Sequence, residues 1–257
     1  MISETKSIDN AVLDSLKRNH YSRRIKSHFY AYGTDYSFSR FFFVEDSKEI
    51  VGIISIFNST MIVASVESKA LSESMLDEIS GFVRMNKPMT VECEYIYAEH
   101  LAERLNDEYS GDMRTEFDFI AKHKLPPMSV NELPRLDDVF DVLKTSFPAI
   151  ADSYELWITD TSHRIRHGLS QSFLLNDCST ATIQYIIDDI ALIGHVATVP
   201  QMRGKHYARH LLYWIGERLT QDGFKVKLYA RPHRVSYYEE IGFKAIGTDT
   251  VLERKIK

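Results

Sequence analysis

Two cysteines in 257 residues are too few for a disulfide framework, and Cys93 and Cys178 stand 85 positions apart with no CxxC spacing, which excludes a thiolate metal site. That scarcity points to a reducing, cytoplasmic setting. Long apolar runs are also missing. The best candidate, 50–64, is interrupted by Ser55, Asn58, Ser59 and Thr60, short of the ~20 residues a membrane helix needs. The first residues carry Glu4, Asp9 and Asp14 ahead of any apolar block, the wrong order for a secretion signal. No excess of basic charge exists: the formal net charge is -5, so no basic field gathers nucleic acid or an anionic membrane. Neither G-x-x-x-x-G-K-[ST] nor a G-x-G-x-x-G after a strand occurs, which removes the P-loop and that class of dinucleotide fold.

What is present fits two ordinary folded domains, with 44% hydrophobic and 26% charged residues over a length of nearly two average domains. Capping and periodicity predict a helix over 9–30. Aromatic and β-branched runs then predict strands at 38–45, 49–57 and 60–65, the first two joined by the turn Asp46-Ser47-Lys48. A helix over 72–85, a strand at 89–94, a helix at 99–105 and a strand at 113–121 follow. Three of the seven prolines, Pro126, Pro127 and Pro134, lie in 122–134, which reads as a linker and sets the expected domains at 1–124 and 128–257. Beyond it, helices are expected at 136–146 and 153–159 and strands at 171–175, 181–187 and 191–199. A long helix at 204–221, a strand at 225–230, a short helix at 235–241 and a last strand at 243–252 complete the half. Both halves show helix, three strands, helix, strand, helix, strand, an order that suggests duplication, with two unrelated α+β modules as the alternative.

The stretch 194–212, GHVATVPQMRGKHYARHLL, carries the chemistry. A β-branched strand runs into Pro200, then Arg203-Gly204-Lys205, and at once a helix. A helix start has unpaired N–H groups and the positive end of the dipole, so it can cradle a phosphate without a cationic protein around it. From Ile190 to Gly216 there is no Asp or Glu, while Arg203, Lys205, Arg209 and three histidines lie inside. A nucleotide-like or pyrophosphate ligand is the expectation, against the plainer reading of RGK as a solvated helix start.

Together, VATVPQMRGKHYARHLL and, thirty residues on, VSYYEEIGFKAIG resemble the GNAT superfamily of acetyl-CoA-dependent N-acetyltransferases. Its hallmark Q/R-x-x-G-x-G/A is approximated by Arg203 to Ala208, and its later Tyr-x-x-x-Gly-Phe by Tyr238, Gly242 and Phe243. His206 stands where the pair has a glycine, and Arg231 where many members have asparagine. The resemblance covers 128–257 and implies two tandem GNAT-like mixed α/β domains, an α+β fold in which each central, mostly antiparallel sheet is flanked by helices. The first half would be a degenerate copy, because nothing like RGK follows Ser65, and Glu67, Glu73 and Asp77 occupy the corresponding loop and helix start.

By position, the resemblance gives the CoA pyrophosphate to Arg203, Gly204, Lys205, His206, Tyr207 and Ala208, and the pantetheine arm to the main chain of Val196 and Thr198. Tyr238 would supply the proton for the leaving thiolate, with Tyr237 as its neighbour and competitor. His195, on the strand entering the loop, is the candidate base, although strand alternation turns it away from Val196 unless a bulge intervenes. Arg164 and Arg166 are candidates to clamp an acceptor carboxylate or phosphate, or to pair with Asp152, Glu155 or Asp160. The implied function is transfer of an acetyl group from acetyl-CoA to an amine of a small molecule or a protein, without metal, nucleic acid or membrane. The alternative is a non-catalytic acyl-CoA-binding sensor or interaction protein.

Overall fold

A computed structural model describes residues 1–121 and 128–255, so the Pro126-Pro127 part of the expected linker lies outside the described residues. Its contacts divide the chain into two units, Met1–Arg114 with the chain from Thr248 on, and Thr115–Gly247.

The first unit holds β1 (Ile2–Thr5), α1 (Asn10–Asp14), α2 (His20–Tyr32), β2 (Ser39–Asp46), β3 (Glu49–Phe57), β4 (Thr60–Ser65), α3 (Glu73–Asn86), β5 (Thr90–Glu92) and α4 (Tyr95–Arg104). The edge strand β1, which pairs antiparallel with β2, has no counterpart in the sequence reading. The helix expected over 9–30 is two helices. Asn19 caps α2 through a reciprocal bond with Ser22, and between the helices Lys17 donates its N–H to the Ser65 carbonyl at 3.0 Å, so the chain leaves the helix to pair as an extended segment. Ser47 and Lys48 both have positive φ, 49° and 73°, which matches the hairpin twist between β2 and β3.

Strand β3 is largely apolar because both its faces are covered. Ile54 packs with Leu76, Ile79, Val83 and Leu101 of α3 and α4, whereas Ile53 packs with Leu13 and Ile25 of α1 and α2.

The second unit holds α5 (Leu136–Leu143), α6 (Pro148–Ala151), α7 (Tyr154–Arg166), β7 (Gln171–Leu175), β8 (Ser179–Ile187), β9 (Ile190–Thr198), α8 (Tyr207–Gln221), β10 (Lys225–Ala230) and α9 (Val235–Ile241). Leu211, Leu212, Ile215 and Leu219 form the stripe of α8 that packs on Phe173, Ile193 and Leu228, as their spacing of three and four residues requires. On the other face Val139, Leu143 and Trp157 of α5 and α7 cover Leu174 and Ala197.

Two strands belong to both units. β6 (Tyr109–Phe119) begins in the first and ends in the second, and β11 (Phe243–Arg254) does the reverse. The strand order is β1-β2-β3-β4-β5-β11 in the first unit and β6-β10-β9-β8-β7 in the second. Three antiparallel pairs in the first unit, and two in the second, are followed by one parallel pair, β4·β5 or β9·β10. Each is then closed by an antiparallel strand from the other half of the sequence. Each unit is thus a mixed α/β domain with a central sheet flanked by helices. A boundary in the Pro-rich segment would leave 115–121 with the first unit and the chain from 248 with the second, and the contacts place each with the other. The physical reason is that a strand's pattern says which face is buried but not which sheet edge accepts its hydrogen bonds.

In the first unit the closing strand brings charge into the core. Arg114 donates to Asp249 through Nε at 3.0 Å and Nη2 at 2.6 Å, and to Glu92 at 3.1 Å. Arg24 also pairs with Glu92, and the Tyr21 hydroxyl donates to Asp249 at 3.3 Å. The Glu92 and Asp249 side chains are only 5% and 8% exposed.

Candidate functional site

The parallel pairing of β9 with β10 runs from Ile190↔Lys225 to Ile193↔Leu228 and stops, although β9 continues to Thr198 and β10 to Ala230. Beyond Ile193 the edge of β9 facing β10 carries main chain that no strand among the described residues pairs with. On the other side β9 stays paired with β8, but three steps, Gly194 to Ala197, oppose two, Thr182 to Thr180. That mismatch is a bulge, and His195 sits in it with φ 49°.

After β9 a single 3-10 turn, Pro200–Met202, leads into the loop. Gly204 has φ 77° with no heavy atom within 4 Å of where a Cβ would stand, and His206 takes the left-handed conformation, φ 63°, as the residue before α8. A glycine would adopt that conformation without cost, so the histidine keeps the loop geometry at the expense of some strain. The first helical bond of α8 is from His210 to the His206 carbonyl at 3.0 Å. Among the described residues none of the six backbone N–H groups from Gly204 to Arg209 donates to a backbone carbonyl. Arg203 ties the loop down, Nε to the Thr198 carbonyl at 3.1 Å and Nη2 to Ser146 Oγ at 3.0 Å.

These parts line one cavity of ≈ 730 Å³ within the second unit. Of the expected residues, Val196, Thr198, Arg203, Gly204, His206, Tyr207, Ala208 and Tyr238 are on its wall. Ser146, Phe147, Ala197, Met202, Arg209, Arg234, Tyr237 and Glu240 complete it. Ser146 and Phe147 carry no sequence signal, since they reach the loop from about fifty residues upstream through the fold. Arg209 lies inside the acid-free window and was legible there.

The remaining expected residues are elsewhere. Lys205 is exposed, its Nζ 3.4 Å from Met202 Sδ. His195 is not on the wall, and its ring lies 6.1 Å from that of Phe147, which is. Arg164, in the last turn of α7, is buried and pairs with Asp160 at 2.8 Å. Arg166 is exposed, and neither arginine reaches the cavity. Arg231 is exposed and also off the wall.

Tyr237 and Tyr238 both face the cavity from α9. Burial, helped by the neighbouring Tyr237 and opposed by Arg234, pushes the Tyr238 phenol up to about 12. Burial also raises that of Tyr237, against Arg209 and Arg234. Both phenols therefore hold their protons at neutral pH.

The corresponding place in the first unit is filled. Pairing of β4 with β5 ends at Ile62↔Glu92 while β4 runs on to Ser65, but the Ser65 carbonyl already accepts from Lys17 and Glu67 donates to the Ser15 carbonyl. Glu94 closes it, accepting from Ser65 Oγ at 2.6 Å and pairing with Lys17 at 2.9 Å. Glu73 and Asp77, at the start of α3, are taken up by Arg104.

Among the described residues no group of three or more His, Cys, Asp or Glu is placed to hold a metal ion, and no helix is long and apolar enough to cross a membrane. No protein-family model and no curated protein sequence matches the chain. Solved structures do. A GNAT-family acetyltransferase from Colwellia psychrerythraea superposes with TM-score 0.62 at 12% identity over 100% of both chains. A GCN5-related N-acetyltransferase from Sphaerobacter thermophilus gives 0.64 at 16% identity over 99% of this chain and 95% of that one. A tandem GNAT protein from the clavulanic acid biosynthesis pathway gives 0.61 at 8% identity over 98% and 97%. Identities this low speak for architecture alone, and on that ground the chain has the fold of the tandem GNAT acetyltransferases.

Proposed function

We propose that the second unit is an acetyl-CoA-dependent N-acetyltransferase acting on an amine of a small molecule or a protein. The observation that carries this reading is the run of six acceptor-free amides, Gly204 to Arg209, at one end of a cavity whose other wall is the unpaired edge of β9. A pyrophosphate fits the amides, because each N–H can donate to a phosphate oxygen at the positive end of α8. An extended amide-bearing arm fits the β9 edge, where the main chain around Val196 and Thr198 can bond it as a strand would.

Acetyl-CoA supplies the thioester. The protein's own part is to hold that arm straight, keep a phenol proton at Tyr238 Oη for the departing sulfur, and accept the proton that the acceptor amine gives up. For that last role the candidate is His195, at the bulge beside Val196 and next to Phe147 of the wall rather than on the wall itself. Replacing it with glutamine should lower kcat without changing acetyl-CoA affinity. Unaltered turnover would remove it.

Calorimetric titration should find one acetyl-CoA per chain, since the first unit spends the equivalent main chain on Lys17 and Ser15. In the same titration Gly204→Asp should abolish binding and the accompanying rise in melting temperature, because it sets a carboxylate against the phosphate position in a backbone conformation, φ 77°, that disfavours side chains. Two equivalent sites, or an undiminished shift in Gly204→Asp, would overturn the assignment. Release of free thiol across a panel of amines separates catalysis from a non-catalytic acyl-CoA sensor.

A further inference from the structure

Among the described residues that line the cavity Glu240 is the one carboxylate, and it comes from α9 rather than from the acid-free stretch that forms the loop. It pairs with Arg209, the third residue of α8, through a single guanidinium nitrogen, Nη2. Arg209 Nε is buried and has no acceptor among the described residues. A buried donor left over in this way is unusual, and it lies on the wall of a cavity already suited to an anion. Arg234 lines the same cavity and adds a second cation.

Resting on the reading of the cavity as a CoA site, we propose that Arg209 is the receptor for the phosphomonoester of that ligand and that Glu240 is the counter-ion it must leave to bind it. The chemistry favours the exchange. A phosphomonoester carries more charge than a carboxylate and three acceptor oxygens, enough to engage Nε and Nη2 together, whereas Glu240 engages Nη2 alone. The existing pair is easy to break, with the Glu240 side chain 62% exposed. The pyrophosphate does not compete for Arg209, because the loop amides serve it. Glu240 thus lowers the affinity for the intact ligand and makes that affinity depend on the monoester.

The test is a double-mutant cycle read by calorimetry with two ligands, acetyl-CoA and its 3′-dephospho form. Glu240→Gln should tighten acetyl-CoA by about 3- to 5-fold, the scale of one exposed pair, and leave the dephospho form within about twofold. Arg209→Gln should weaken acetyl-CoA by about 10-fold and bring the two ligands to similar affinity. In the Arg209→Gln background, Glu240→Gln should then have no effect. Equal tightening of both ligands by Glu240→Gln, or tightening that persists without Arg209, would overturn the exchange while leaving the cofactor site in place. A wild-type protein that binds neither ligand would overturn both this proposal and the site on which it rests.

Discussion

Tyr238→Phe is expected to lower turnover about 100- to 10,000-fold while the acetyl-CoA Kd changes by less than about twofold, the range for removing a general acid. The substitution takes away one oxygen and little else. The Tyr238 ring sits 5.6 Å from Phe117 and 6.0 Å from Phe243, contacts that phenylalanine keeps, so the cavity wall stays in place. With the phenol pushed up to about 12 by burial, the wild-type rate should hold through neutral pH and fail only as the solution becomes strongly alkaline and the proton is lost. In Tyr238→Phe that alkaline loss should disappear from whatever rate remains. Tyr237→Phe is the matched control, because its ring lies 5.3 Å from that of Tyr238 on the same short helix and lines the same cavity. Full turnover in Tyr238→Phe with a collapse in Tyr237→Phe would transfer the role to the neighbour.

Arg114→Ala should destabilise the first unit by about 3 to 5 kcal/mol, the range for removing one partner of a buried ion pair. Glu92 and Asp249 would remain, nearly without solvent, and would lose three of the hydrogen bonds that now compensate their burial. Chemical denaturation followed by fluorescence measures the loss. The apolar replacement of both partners, Arg114→Met with Asp249→Leu, should cost less than the single change, since it leaves Asp249 no charge to strand. Acid should act in the same direction. Burial would raise the Glu92 carboxyl, but Arg24, His20 and Arg114 outweigh it and hold the group well below the usual range. Burial, against the pull of Glu92, lowers His20 below the ordinary imidazole value. In both cases the unfolded chain binds the proton at a higher pH than the folded one, so stability falls as pH drops, first through the imidazole range and then through the carboxylate range. A single change that costs less than about 1 kcal/mol would show the cluster to be dispensable.

Much of the site was legible because it is local. Arg203 to Ala208 are consecutive, the absence of acid from Ile190 to Gly216 is visible on the line, and a β-branched strand running into a helix fixes where the amides point. The parts that were not legible come from other elements. Ser146 joins the loop through Arg203, Glu240 joins it through Arg209, and neither spacing announces the contact. For Arg164 two readings stood open in the sequence, a substrate clamp and a pair with Asp152, Glu155 or Asp160. A cationic helix end invites a substrate clamp, but α7 continues to Arg166 and places Asp160 one turn before Arg164, so the charge is met within the helix.

By itself the sequence determined the order and type of most elements, β1 and the division of the first helix apart, for a physical reason. Burial of one face or two imposes a period of 2 or 3.6 on neighbouring residues, and turns demand Gly, Asn, Asp or a positive φ at set places. It likewise determined that only the second half has an acid-free helix start entered through Arg203-Gly204-Lys205, because that depends on adjacent residues and their charge. Three things waited for the tertiary structure. The break between α1 and α2 appears only when Ser65 offers a carbonyl to Lys17. The opening beyond Ile193 and Leu228 exists only because two strands stop pairing. The crossing of β6 and β11 into opposite units follows from which sheet edge was open to receive each strand. Hydrogen bonds between strands are made by backbone groups that every residue carries alike, so a sequence can specify that a strand forms without specifying its partner.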